Sequence, residues 1–134
     1  MSIENTIKNM SLDERAGQLV MSSFTGRTSI PEETVELIKA GAAGSILYFS
    51  GCNVVDALQL RDLTEKVQSA SLQSKAGLPQ FIAIDQEGGQ LAPITKGISI
   101  GPGNMALAAI RENGADYAYK VGNITGKELK AIGI

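Results

Sequence analysis

Phe81-Ile-Ala-Ile-Asp85-Gln-Glu-Gly-Gly89 is the stretch on which the reading of this chain turns. A short apolar run stops abruptly at two carboxylates, an amide and a double glycine. That is the pattern of a buried strand reaching the mouth of an α/β fold. Ligands of such folds bind beyond the carboxyl ends of the strands. Asp85, Gln86 and Glu87 therefore stand where chemistry is usually done, and Gly88 and Gly89 allow the backbone to turn sharply beside them.

The flanking sequence supplies the rest of such a fold. Ser11-Leu-Asp-Glu14 fits a capping box and predicts a short helical turn. Gly17 to Phe24 reads as a first strand, with Gly26 as a breaker. Pro31, Glu32 and Glu33 predict a helix start, since proline suits the first helical position and acids suit the first turn. That helix runs to about Lys39 and ends at Gly41. Ala43 to Phe49 reads as a second strand. Val54 to about Lys75 predicts a helix in which Leu60, Leu63, Val67 and Ala70 mark one buried face. Gly77-Leu-Pro79 closes that unit, and the third strand spans Gln80 to Gln86. A loop without periodicity follows from Glu87 to Asn104. The last helix covers about Asn113 to Ala131, with Ala118, Val121, Leu129 and Ile132 on one side. Strands alternating with helices predict parallel pairing through right-handed crossovers, here three strands in one unit over residues 1–134. No apolar segment follows the last helix, so the chain reads as a βα series cut short.

Composition sets the outer bounds. The chain has 134 residues, enough for one modest domain with a core, and 43% of them are hydrophobic, which argues against disorder. A formal charge of -2 gives no reason to expect a nucleic-acid or acidic-membrane partner. No apolar run approaches the ~20 residues that span a bilayer. Met1-Ser-Ile-Glu-Asn5 lacks the basic and apolar regions of a signal peptide, so a cytoplasmic chain is the simplest expectation. There is no histidine, which excludes His-based triads, His proton shuttles and His-containing zinc sites. The single cysteine, Cys52, forms no internal disulfide and is expected to pack as a reduced thiol near a loop. No cofactor and no metal set are expected.

Four stretches together resemble the N-terminal part of glycoside hydrolase family 3, in its β-N-acetylhexosaminidase-like branch. Met10 to Met21 is similar to the family's opening helix and first strand. Gly44-Ser-Ile-Leu-Tyr-Phe-Ser50 with Asn53 is similar to its second strand and loop. Ile84-Asp-Gln-Glu-Gly-Gly89 is its most specific signature. Pro102 to Leu107 and Gly126 to Gly133 are similar to the loop and helix that follow. The resemblance implies a (β/α)8 TIM-type barrel, of which about half is present, since a full barrel takes roughly 250 residues. It implies retaining hydrolysis of a terminal β-linked N-acetylhexosamine or hexose. It further implies that Asp85 holds sugar hydroxyls through charge-assisted hydrogen bonds, while Gln86, Glu87, Gly88 and Gly89 shape the pocket. The family's hexosaminidases often carry Arg directly after the double glycine and again three residues on; those positions are Gln90 and Pro93 here. The family's Asp nucleophile and its His–Asp acid/base loop lie beyond the matched stretch. No catalytic residue is assigned, and the chain alone is expected to be inactive.

Blander readings stand beside these. Asp85 and Glu87, alternate residues on a strand, point to one side with α-carbons ~6.5–7 Å apart. A glycosidase pair must instead flank the sugar bond from opposite faces, so this pair is not read as catalytic. Asn53 suits a helix N-cap better than a pocket rim. Gly101-Pro-Gly-Asn104 reads as a structural turn, since it lacks the Lys and spacing of a phosphate loop. Gly122, Gly126 and Gly133 suit close helix packing. Tyr48, Phe49, Tyr117 and Tyr119 are expected mostly in the core. A non-enzymatic alternative is a self-associating half-barrel, a homo-oligomer joined through its open sheet edges. A weaker one is a small-molecule module binding phosphate or nucleotide.

Overall fold

The computed structural model describes residues 2–134. Among these residues, six helices accompany a sheet of three parallel strands in the order β1-β2-β3, as the alternation of strands and helices predicts. Helix α1 (Ile3–Asn9) and helix α2 (Leu12–Gly17) come first. Strand β1 (Met21–Ser22) leads to α3 (Glu32–Lys39), then β2 (Ser45–Tyr48), α4 (Ala57–Leu72) and β3 (Phe81–Ile84). Helix α5 (Asn104–Ala109), a 3-10 turn over Arg111–Asn113 and α6 (Gly114–Ala131) complete the order. Met21 pairs with Ser45, and Ser45 with Phe81, so the strands run in step.

The register divides the sheet into two faces. Ile46 and Tyr48 are sealed from solvent and join Leu60, Leu63, Val67 and Ala70 of α4, together with Ile38, Phe24 and Ile94, in one core. The predicted face of α4 is therefore the face that is buried. Tyr48 meets Phe24 edge-on at 6.2 Å between ring centroids. Its hydroxyl lies 3.3 Å from the Thr64 hydroxyl. Burial raises the Tyr48 pKa, and that hydrogen bond partly offsets the rise. By strand alternation, Met21, Ser45, Leu47, Phe81 and Ala83 share the opposite face, and Phe81 is 76% exposed there.

Several expectations are corrected. The first strand is two residues long, because α2 runs from its capping box through Gly17. Bonds from Gln18, Leu19 and Val20 back to Glu14, Ala16 and Gly17 then extend it as a turn. The third strand is a half-buried edge strand, since β2 lies on one side of it alone. Pro31 sits at the cap of α3 rather than its first helical position. Helix α4 begins at Ala57, and Asp56 caps it by accepting from Gln59 N–H at 2.8 Å. Asn53 is therefore not that cap. Helices α1 and α5 have no counterpart in the predicted order. Along α6, Ile132 is buried just past the last turn and Leu129 half-buried, but Ala118 is exposed; of the four aromatics expected mostly in the core, Tyr48 alone is there, and Phe49, Tyr117 and Tyr119 are exposed. A Cβ on Gly122 or Gly126 would meet nothing within 4 Å, whereas one on Gly133 would meet Thr64 Cγ2 at 2.9 Å. Close packing thus holds for the last of the three alone.

Candidate functional site at the carboxyl end of the sheet

Strand β3 ends at Ile84, so Asp85 is the first residue past the carboxyl end of the sheet, and its side chain is exposed. Glu87 is exposed as well, and among the described residues neither carboxylate forms an ion pair. Because the strand stops at Ile84, strand alternation does not fix how these two side chains point relative to each other. After Glu87 the chain folds into a tight hairpin. Glu87 and Gly88 N–H groups both donate to the Leu91 carbonyl, at 2.9 and 3.1 Å, and Gly88 pairs with Leu91 in an antiparallel bridge.

The double glycine is required by this path. Gly88 has φ +88 and Gly89 φ +60, in the left-handed region that side chains disfavour. A Cβ on Gly88 would meet the Gly101 carbonyl oxygen at 2.7 Å, and one on Gly89 the Gly103 Cα at 2.9 Å. Gly89 N–H donates to Gly101 at 2.9 Å. The Gly101–Gly103 turn is thus the wall against which the hairpin packs, a structural part as expected.

Gln86 turns inward. Its amide nitrogen donates to the Ile94 carbonyl at 3.1 Å, and its oxygen accepts from the Ile94 N–H at 3.0 Å. Two further amides tie the neighbouring loops. Asn53 is fully buried; it donates to the Phe24 and Gly26 carbonyls at 3.0 and 3.1 Å and accepts from Phe49 N–H at 3.0 Å. It neither caps α4 nor lines an opening. Gln59 accepts from Val55 N–H and donates to the Asn53 and Arg27 carbonyls. The sequence reading missed Gln59, whose Val55 and Asn53 partners lie in the loop leading into α4, while its Arg27 partner lies 32 residues away. Cys52 is half-buried in the turn after β2.

This arrangement offers an exposed carboxylate on a rim made rigid by main-chain contacts. Exposed carboxylates accept hydrogen bonds from hydroxyl groups. No group of three or more His, Cys, Asp or Glu residues that could hold a metal occurs among the described residues, and none of their helices is long and apolar enough to cross a membrane. A larger groove of about 550 Å³ lies between α4 and residues 130–133, walled by Arg61, Thr64, Gln68 and Lys130. It sits on the helical layer, away from the strand ends, and the signature residues take no part in it. The strand-end rim is the better candidate, because parallel α/β sheets place ligands there.

Known proteins are similar to this chain. Residues 11–134 match the Glycosyl hydrolase family 3 N terminal domain. β-Hexosaminidase A of Pseudoalteromonas piscicida is 43% identical over 109 residues, which are 80% of this chain and 18% of that protein. A β-hexosaminidase of Nitrosomonas eutropha is 29% identical over 86% of this chain and 32% of its own length. The chain therefore spans a third or less of these relatives. Among solved structures, a family 3 β-N-acetylglucosaminidase from Paenibacillus sp. str. FPU-7 superposes with a TM-score of 0.83 at 36% identity, covering 93% of this chain and 23% of that one. NagZ from Neisseria gonorrhoeae, in complex with N-trifluoroacetyl-D-glucosamine, gives a TM-score of 0.70 at 28% identity over 86% of this chain and 33% of its own. The three parallel strands and their helices are part of a TIM-type α/β barrel, and the chain belongs to the glycoside hydrolase family 3 N-terminal domain family.

Proposed function

We propose that this chain contributes the first wall of a sugar pocket in a retaining glycoside hydrolase acting on terminal β-linked N-acetylhexosamine. The observation that carries the reading is the exposed Asp85 carboxylate, one residue past the end of β3, beside two left-handed glycines. Asp85 is the sugar-hydroxyl acceptor, Glu87 and the Gly88–Gly89 hairpin form the rim, and Gln86 holds it. The chain, with no assigned nucleophile or acid/base among its residues, binds without hydrolysing. Calorimetric titration of the purified chain with N-acetylglucosamine, glucose and a nucleotide tests this. Binding ranked with N-acetylglucosamine first is expected; preference for the nucleotide overturns the reading.

A second reading is favoured by the uncovered sheet face. Among the described residues, strands β1 and β3 each keep one open edge, and Phe81 and Met21 are exposed on the face away from α4. Unpaired edges recruit further strands, and exposed apolar residues favour association. A second copy of this chain is the occupant this surface fits, because it brings the same open edges and the same apolar row.

A further inference from the structure

We propose that Gln86 is a positioning residue of this rim: its carboxamide latches the main chain of Ile94 and so holds residues 87–103 in the shape that presents Asp85. The proposal rests on the carbohydrate reading above. Gln86 pairs with both peptide groups of one residue, at 3.0 and 3.1 Å, as a strand residue pairs across a ladder. Ile94 is fully buried, and among the described residues those two groups have no other hydrogen-bond partner.

The segment between Glu87 and Gly103 contains no helix and no strand beyond the Gly88–Leu91 bridge. It is held at a few points. Gly89 bonds to Gly101, Ala57 N–H donates to the Lys96 carbonyl at 3.0 Å, and Ser99 bonds to the Glu128 carboxylate at 2.8 and 2.9 Å. Among the described residues, Gln86 supplies the hydrogen bonds that join the middle of this segment to the strand end, beside the packing of the Ile94 side chain in the core. A carboxamide suits that task. It both donates and accepts, and it carries no charge that would oppose the Ile94 carbonyl.

The chemistry yields a sharp test in the full chain. In Gln86→Glu, a protonated carboxyl reproduces the donor and the acceptor, whereas the ionised form loses the donor and sets an oxygen against the Ile94 carbonyl. Amide exchange at Ile94, referred to the core amide of Leu63, is followed by NMR in wild type, Gln86→Leu and Gln86→Glu. In Gln86→Leu, Ile94 protection falls by about tenfold, the loss expected for removing hydrogen bonds to a buried peptide group. In Gln86→Glu, protection recovers as pH falls, with a midpoint above about 4.3, the ordinary Glu value, because the latched form is the protonated one, while wild type stays flat. A side chain that merely filled space would show no such recovery. Unchanged protection in Gln86→Leu, or a flat profile in Gln86→Glu, overturns the latch. N-acetylglucosamine titrations of the same samples separate the two ideas. No binding by wild type ends the carbohydrate reading, while the exchange profile still decides the latch.

Discussion

Asn53 donates to the carbonyls of Phe24 and Gly26 and accepts from Phe49 N–H, so one buried amide joins the chain leaving β1 to the chain leaving β2. Replacing it with leucine leaves three main-chain groups without this partner. Asn53→Leu is expected to cost about 3 kcal/mol of stability in urea unfolding; a loss below about 1 kcal/mol would show that the amide does not tie the two loops. The sequence suggested a helix cap at this position because capping is a local pattern, read over three residues. The actual partners of its amide nitrogen lie 27 and 29 residues away, and no local pattern encodes them. Asp85 was legible for the opposite reason. An apolar run ending in a carboxylate and two glycines is itself local, and the structure places that carboxylate past the end of β3.

At the scale of elements, the Ser11 capping box and the buried face of α4 were readable, while the other caps, the face of α6 and the element lengths were not. The capping box is complete: Ser11 Oγ accepts from Glu14 N–H at 3.2 Å, and the Glu14 carboxylate accepts from Ser11 N–H at 2.7 Å. The Ser11 N–H, and then its hydroxyl, hold the Glu14 pKa below its ordinary value. The unfolded chain therefore takes up this proton at higher pH than the folded one. Glu14 contributes its stability above the ordinary Glu value and loses it as pH falls through the lowered folded value. Acid unfolding of Glu14→Gln should lack this component; an identical pH profile would argue against it. Helix α4 was readable because seven of its residues are buried in a helical pattern. Helices α1 and α5 were not, because α1 buries no residue and α5 buries Leu107 alone. Strand β1 shrank because α2 ends at Gly17 and the turn after it takes up Gln18 to Val20, leaving Met21 and Ser22 to pair. Along α6, Gly122→Ala fills open space in an exposed helix and should stabilise by roughly 0.5–1 kcal/mol. Gly133→Ala meets φ +85 and the Thr64 methyl, and should destabilise by about 1 kcal/mol or more. Thermal unfolding of the two variants should move in opposite directions.

For the whole molecule, the parallel order of the sheet followed from the alternation of elements, because a helix between two strands returns the chain to the same end. Which sheet face would lie open did not follow, because it depends on which residues the helices reach. The exposed Met21 and Phe81, which share one row across Ser45, together with the two sheet edges left open among the described residues, are expected to bring copies of this chain together. Light scattering should give a mass above one chain, and Phe81→Lys should shift it toward the monomer; a monomeric wild type at high concentration would contradict that. Nitrophenyl N-acetylglucosaminide should not be hydrolysed by the purified chain. The most direct test of the central claim is NMR titration of N-acetylglucosamine into wild type and Asp85→Asn. The account predicts shifts concentrated at residues 85–91 in wild type and their loss in the variant, with the urea midpoint unchanged because Asp85 is exposed. Equal binding by the two proteins, or shifts centred elsewhere, would contradict it.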